Sequence, residues 1–344
     1  MISRLMGSRG GSCIRAGRVH HDIQSQQPMA SVQPQSVCRV RQPGPPTPVD
    51  DVDAPVAYDP RFEPVLAPGA RLMSLYDQAL WAEGPVWWAA RDMLVWSDVE
   101  GRRLFGWRPD GAVDVLIDPT AFMNGNTLNG DRLIHCEHGR RCVSTSDGSG
   151  EPTILVSEYQ GRRLNSPNDA VVAADGAIWF TDPTYGLQNP RQGCPGEPDL
   201  DHRSVYRFEP RTGALTRMAD LEQPNGIGFA PDGKTLYVAD SDLDRHEIIA
   251  FDVADDHTLS NRRTFAVIQD GVPDGFAVDA RGWVWTSSGA GVQVFSGEGE
   301  ALGLIPTPHS CSNCTFGGVG GGRLFITGEE SLWAIDLAGQ GLGG

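Results

Sequence analysis

The chain has 344 residues and a formal net charge of −16, an acidity that argues against nucleic acid as a partner, because phosphates demand a basic surface. Glycine (42) and proline (25) are plentiful and long helical periodicity is missing, which favours many short strands joined by turns. No apolar run approaches the roughly 20 residues that span a membrane, so no membrane partner is expected; seven cysteines without framework spacing suit reduced thiols and a cytoplasmic location.

Residues 1–60 read as a disordered leader and 61–344 as one folded domain. Six arginines and one acid leave residues 1–48 at +5 and the remainder at −21. The start lacks the apolar stretch of a secretory signal. It reads either as a transit peptide in composition or as a stretch upstream of a start at Met29.

A strand near Ala70–Leu75 comes next, and from residue 83 a unit recurs: an acid or amide, small residues, an apolar run, a turn, a second apolar run. The units open at Glu83, Asn126, Asn168, Asn225, Asp274 and Asn313. A period of roughly 40–50 residues with about four strands per unit is the signature of propeller blades. The fold class is therefore all-β, a six-bladed β-propeller, with the strand near 70–75 closing the ring against the last blade. Ala174-Asp175-Gly176-Ala177, Pro231-Asp232-Gly233-Lys234 and Asp279-Ala280-Arg281-Gly282 each separate two apolar runs as tight turns. The polar stretch 188–201 reads as a long loop over one face.

In a propeller the first strand of each blade lines the channel, so the six anchors ring one mouth. The second strand runs back antiparallel, bringing Asp98, Glu137, Asp182, Asp240 and Ser287 to the same end. One such anchor alone reads as a turn cap. Six at equivalent positions around one axis read as a site for a metal or polar ligand, and oxygen donors suit hard cations. Cys311 and Cys314 form a lone CxxC beside an anchor and read as packing. His138 stands near the mouth, where substrate contact and an ordinary strand-end histidine are equal readings. Gly317 to Gly320 reads as a hairpin turn, and no Walker loop, Rossmann fingerprint, HExxH or GxSxG motif occurs.

The runs Ala82-Glu83-Gly84-Pro85-Val86-Trp87, Leu164-Asn165-Ser166-Pro167-Asn168-Asp169, Phe180-Thr181-Asp182-Pro183-Thr184-Tyr185-Gly186, Pro224-Asn225-Gly226 and Pro273-Asp274-Gly275 resemble the gluconolactonase/senescence-marker (regucalcin)/luciferin-regenerating family over residues 70–337. The resemblance implies a six-bladed propeller lactonase with one divalent cation held by Glu83, Asn168, Asn225 and Asp274; Ca²⁺ stands first, with Mg²⁺, Mn²⁺ or Zn²⁺ as alternatives. It favours Asp274 as general base, with Asp182 the alternative. Asn126, Asn313, His138, Thr184 and Tyr185 are expected to contact the substrate, a small lactone. Animal members carry an arginine where this chain has Ser166, so the contact made by that arginine is absent; Asn126 to Leu128 and Cys136 to Arg141 look more like the microbial branch. A calcium-dependent arylesterase or phosphotriesterase, and a non-enzymatic propeller binding metal or sugar, are the competing readings.

Overall fold

Three aspartate turns show how the sequence starts this fold. The carboxylates of Asp175, Asp232 and Asp279 each accept a main-chain N–H two residues on, at 2.9–3.0 Å. Gly176, Gly233 and Gly282 follow or close the turns with φ of 84°, 69° and 82°, a region in which side chains other than glycine are strained. Aromatic and β-branched residues flank each turn as strands, Ile178–Asp182 and Thr235–Asp240 among them, and suit a pleated surface. The structure, a computed structural model, describes residues 45–339.

Six antiparallel sheets follow one another along the chain. Their first strands are Ala82–Trp88, Met123–Asn129, Ala170–Val172, Pro224–Phe229, Phe276–Val278 and Asn313–Gly317, and each pairs with the strand after it. The sixth sheet is completed from the other end of the chain. Met73–Tyr76 pairs with Ser331–Asp336, with Tyr76 opposite Leu332 and Met73 opposite Ala334. The molecule is thus a six-bladed β-propeller with the ring closure expected from sequence. Apolar faces pack between neighbouring sheets: Trp179 of the third blade shares a cluster with Ile227 and Val238 of the fourth, and Trp285 meets Phe316 edge-on at 5.4 Å.

The expected leader overlaps the described residues at 45–60, and there the expectation is corrected. Thr47–Pro48 pairs with Met73–Tyr76, and Val56–Ala57 pairs with Ala301–Pro306, adding a fifth strand to the sixth and fifth sheets. Val49 and Val52 pack against the core of those blades. Proline and acid mask the segment in composition, but two-residue strands need no periodic pattern. Phe62 follows, fully buried against Trp285, a burial that contributes about 2–3 kcal/mol. The expected leader's residues 1–44 lie outside the described residues.

Around one mouth every blade bonds to the next. The Asn126 amide donates to Gly84 O (2.8 Å), Gly125 N–H to Asn168 O (2.8 Å) and the Thr181 hydroxyl to Asn225 O (2.7 Å). Gly226 N–H donates to Asp274 O (2.9 Å), Gly275 N–H to Ser312 O (2.7 Å) and the Ser312 hydroxyl to Ala82 O (2.7 Å). This closed circuit fixes the backbone that carries the anchors.

Candidate active site

Glycines beside the anchors let the blades close up. A Cβ on Gly84 would stand 2.3 Å from the Asn124 carbonyl, and one on Gly226 would stand 2.5 Å from the Asp274 carbonyl. The sequence therefore spells each of these anchors as an acid or amide followed by glycine. The side chain points into the mouth while its neighbour yields room for the next blade.

Glu83 and Asp274 come from the first and fifth blades, yet their carboxyl groups meet, and the Asn225 amide reaches Asp274 as well. Asn168 is buried on the same circuit, its N–H donating to Thr181 O at 2.9 Å. Asp274 is oriented further by its own N–H, which donates to the Ser287 hydroxyl at 2.8 Å. A third carboxylate, Asp169, is close enough for its charge to be felt by Glu83 and to feel that of Asp274. Burial, then the charge of Asp274, holds Glu83 well above the usual carboxylate range. Burial likewise raises Asp274 and pushes Asp169 up to about 7. Among the described residues no arginine, lysine or histidine neutralises the three. Buried like charges without a counter-ion are costly, and an all-oxygen set with surplus negative charge is the donor chemistry of a hard dication. The residues present fit such an ion.

Two of the expected substrate contacts are bound into the frame. The Asn126 amide is consumed by the frame: its NH₂ donates to Gly84 O and Ser97 Oγ, and its oxygen accepts from His135 Nδ1 at 2.7 Å. Asn313 Oδ1 accepts the Cys314 N–H at 2.8 Å, and its amide stands beside Asp169. Both residues line the opposite half of the channel, a cavity of about 1140 Å³ that opens past Trp87 and Phe229 towards the hairpin turns. A one-dimensional repeat gives the level of a side chain on the axis; it does not give the direction of the amide.

Asp182 ends the second strand of its blade, as expected. Its carboxylate accepts the Asn165 N–H at 2.8 Å, as Asp98 accepts from Leu80 and Trp81 and Asp240 from Glu222 and Gln223. Three blades thus use the same aspartate to hold the segment entering the first strand. The charged group acting on Asp182 is Arg141, and burial pushes it up to about 7. Glu137 is likewise structural, bonded to Arg140 and Ser144. The two CxxC thiols bond to the carbonyls of Ser288 and Trp285.

The remaining expected contacts lie on one wall of the mouth. The chain leaves Asp182 through a helical turn, Tyr185–Gln188, and a loop to residue 203. Thr184 Oγ1 accepts from Gln188 and Gln223 at 3.0 and 3.2 Å, which holds the turn. The Tyr185 hydroxyl is buried beside Asn225, Ser241 and Asp274, with no well-aligned hydrogen bond to any described residue. His138 is 1% exposed. Its Nδ1 is 2.9 Å from Gln192 O, so Nδ1 carries the proton and Nε2, also unpartnered, carries the lone pair. Burial pushes this imidazole down to about 4. Arg191 pairs with Glu100 at 2.5 Å and Arg141 with Asp199 at 3.0 Å, tying the loop to the first and second blades.

Sequence reasoning missed Asp169, Trp81 and Ser241. Asp169 was visible as the second half of the Asn168-Asp169 doublet. Trp81 precedes the first strand, and its half-buried indole stands against Glu83; nothing in the repeat marks it.

Residues 81–330 match the model of the SMP-30/Gluconolactonase/LRE-like region. A gluconolactonase of Zymomonas mobilis is 30% identical over 301 residues, covering 80% of this chain and 83% of that one. The solved structure of a gluconolactonase from Xanthomonas campestris is 54% identical, with a TM-score of 0.84 over 87% of this chain and 99% of that one. Regucalcin from Agrobacterium tumefaciens, described as a calcium-binding protein, is 18% identical with a TM-score of 0.64 over 78% of this chain and 95% of that one, a likeness of fold.

Proposed function

The chain belongs to the SMP-30/Gluconolactonase/LRE-like family, and from that premise we propose that it hydrolyses a sugar lactone to its aldonic acid, using one divalent cation at this mouth. The observation that carries the reading is the contact between buried Glu83 and half-buried Asp274, with Asn225 beside them and no cationic side chain among the described residues to neutralise the pair. Glu83, Asn168, Asn225 and Asp274 would hold the ion, Ca²⁺ first on account of the oxygen donors. When bound, such an ion supplies Lewis-acid polarisation of the ester carbonyl and charge for its oxyanion.

The chain's own groups supply the rest. Asp274 removes a proton from the attacking water, aimed by the Ser287 hydroxyl behind its main chain and by the Asn225 amide. Nε2 of His138 offers a lone pair to a sugar hydroxyl, because the Gln192 carbonyl holds the proton on the other ring nitrogen. The Trp81 side chain hydrogen-bonds to the Glu83 carboxylate and steadies it. The loop over residues 189–203 walls the blade 1 to blade 3 side of the mouth against water.

Turnover of glucono-δ-lactone and of an aryl ester, by chelator-treated and cation-reconstituted protein, tests the reading. Cation-dependent opening of the lactone, in preference to the ester, is expected. Full activity after chelation would remove the ion from the mechanism, and turnover of the ester alone would make the protein an arylesterase.

A further inference from the structure

Resting on the lactonase reading, we propose that Tyr185 is a catalytic proton donor, its hydroxyl protonating the ring oxygen as the ester bond breaks. Ring opening leaves an alkoxide on the former ring oxygen, and an alkoxide is a poor leaving group unless it receives a proton. Asp274 takes its proton on the side where water attacks, so a second group facing the leaving oxygen is required.

The mouth contains few groups able to donate. The His138 N–H is committed to the Gln192 carbonyl, and its other nitrogen holds a lone pair. The Ser241 hydroxyl is committed to the Pro273 carbonyl. The Thr184 hydroxyl is surrounded by Gln188 and Gln223. The Tyr185 hydroxyl is buried and lies beside Asn225, Ser241 and Asp274, with no well-aligned hydrogen bond to any described residue. A buried hydroxyl left unpaired costs about 1–3 kcal/mol, so it persists where the frame imposes it.

That frame is visible. Ser166 Oγ donates to Pro183 O at 2.7 Å and accepts the Gly186 N–H at 3.1 Å, bracketing Tyr185 from both sides. Leu187 N–H bonds to Thr184 O and Asn189 N–H to Tyr185 O, at 3.0 and 3.1 Å. A Cβ on Gly186 would stand 2.6 Å from His138 Cβ and 2.9 Å from Ser166 Cβ, so the turn is seated without slack. A longer side chain in place of Ser166 would displace the turn that presents Tyr185. Ser166 is thus a positioning residue. A phenol, with an ordinary pKa of about 10, carries its proton at neutral pH.

The step balances. Water oxygen bonds to the carbonyl carbon and gives its proton to Asp274. The bond from that carbon to the ring oxygen then breaks, its electron pair stays on the ring oxygen, and the Tyr185 proton moves there. Tyr185 takes back the proton held by Asp274, and both groups end as they began.

Tyr185→Phe and the unsubstituted protein, both loaded with cation, are compared on glucono-δ-lactone and on its 5-thio analogue, in which sulfur replaces the ring oxygen. A thiolate leaves without help, since an ordinary thiol has a pKa of about 8.5. The expected result is a fall in kcat on the order of 10²-fold on the oxygen lactone, a change within a few-fold on the thio analogue, and unaltered cation affinity. Equal losses on both substrates, no loss on the oxygen lactone, or weakened cation binding that accounts for the loss would each overturn the proposal. Failure of the unsubstituted protein to open the oxygen lactone would instead sink the lactonase reading.

Discussion

Glu83 and Asp274 touch inside a low-dielectric ring, so without a cation they behave as one acid that keeps a shared proton. An arriving dication favours the ionised pair and expels that proton. Cation binding should therefore release a proton and tighten as pH rises through the titration of the pair; calorimetric titration in two buffers of different ionisation enthalpy measures this, and identical heats would refute it. Asp182 gives a contrasting case. Its folded value of about 7, against 3.8 for an ordinary carboxyl, means that the folded chain holds a proton the unfolded chain has already lost across that window. The stability this contributes is complete below about pH 4 and is lost as pH climbs to about 7. Asp182→Asn should lose less stability than the unsubstituted protein between about pH 4 and pH 7, and it should keep most of its turnover. Asp274→Asn should lose about 10²-fold or more in kcat while still binding cation, more weakly. Thermal midpoints against pH, with kcat at saturating cation, separate the two residues. At this scale the sequence was half legible. The repeat located the anchors, but the same spacing holds Asn126 and Asn313, whose amides are spent on their own neighbours.

The elements were easier to read where the chain turns tightly and harder where it wanders. Asp175-Gly176 and Asp232-Gly233 announce hairpins because an aspartate side chain and a positive φ have few other uses together. The stretch 188–201 was legible as an interval too long for its repeat, but its ties to Glu100, His138 and Arg141 depend on tertiary partners that no local pattern encodes. Gly186 carries the fit of this element. Gly186→Ala should push the turn off His138 and Ser166, costing about 1–3 kcal/mol as overpacking does. Turnover should fall while cation affinity holds, since the ligands belong to other strands. Cation titration beside steady-state kinetics checks it; a parallel loss of both would mean that the turn supports the ligand ring itself.

For the whole molecule, two pieces of the N-terminal region hold the ring shut rather than one. Met73–Tyr76 completes the sixth sheet, and residues 47–57 edge the fifth and sixth. Phe62 pins the segment, with its ring where a Cβ on Gly303 would stand, 2.3 Å from Phe62 Cδ1. Phe62→Ala should cost about 3–5 kcal/mol. A protein starting at residue 45 keeps all these contacts, whereas one starting at residue 67 should melt well below it; equal midpoints in a thermal scan would show the segment to be ornamental. The six-blade plan was legible because a 40–50-residue period leaves few alternatives, whereas this clasp was not, because its strands are too short to alternate. Because the mouth is a closed hoop, order of manufacture matters. A ribosome finishes Asp274, the last proposed ligand, with the sixth blade still unmade and the Gly275–Ser312–Ala82 links still open. A chain stalled there owns every ligand and holds none in register, so the onset of activity during synthesis would time the meeting of residues 331–336 with residues 73–76.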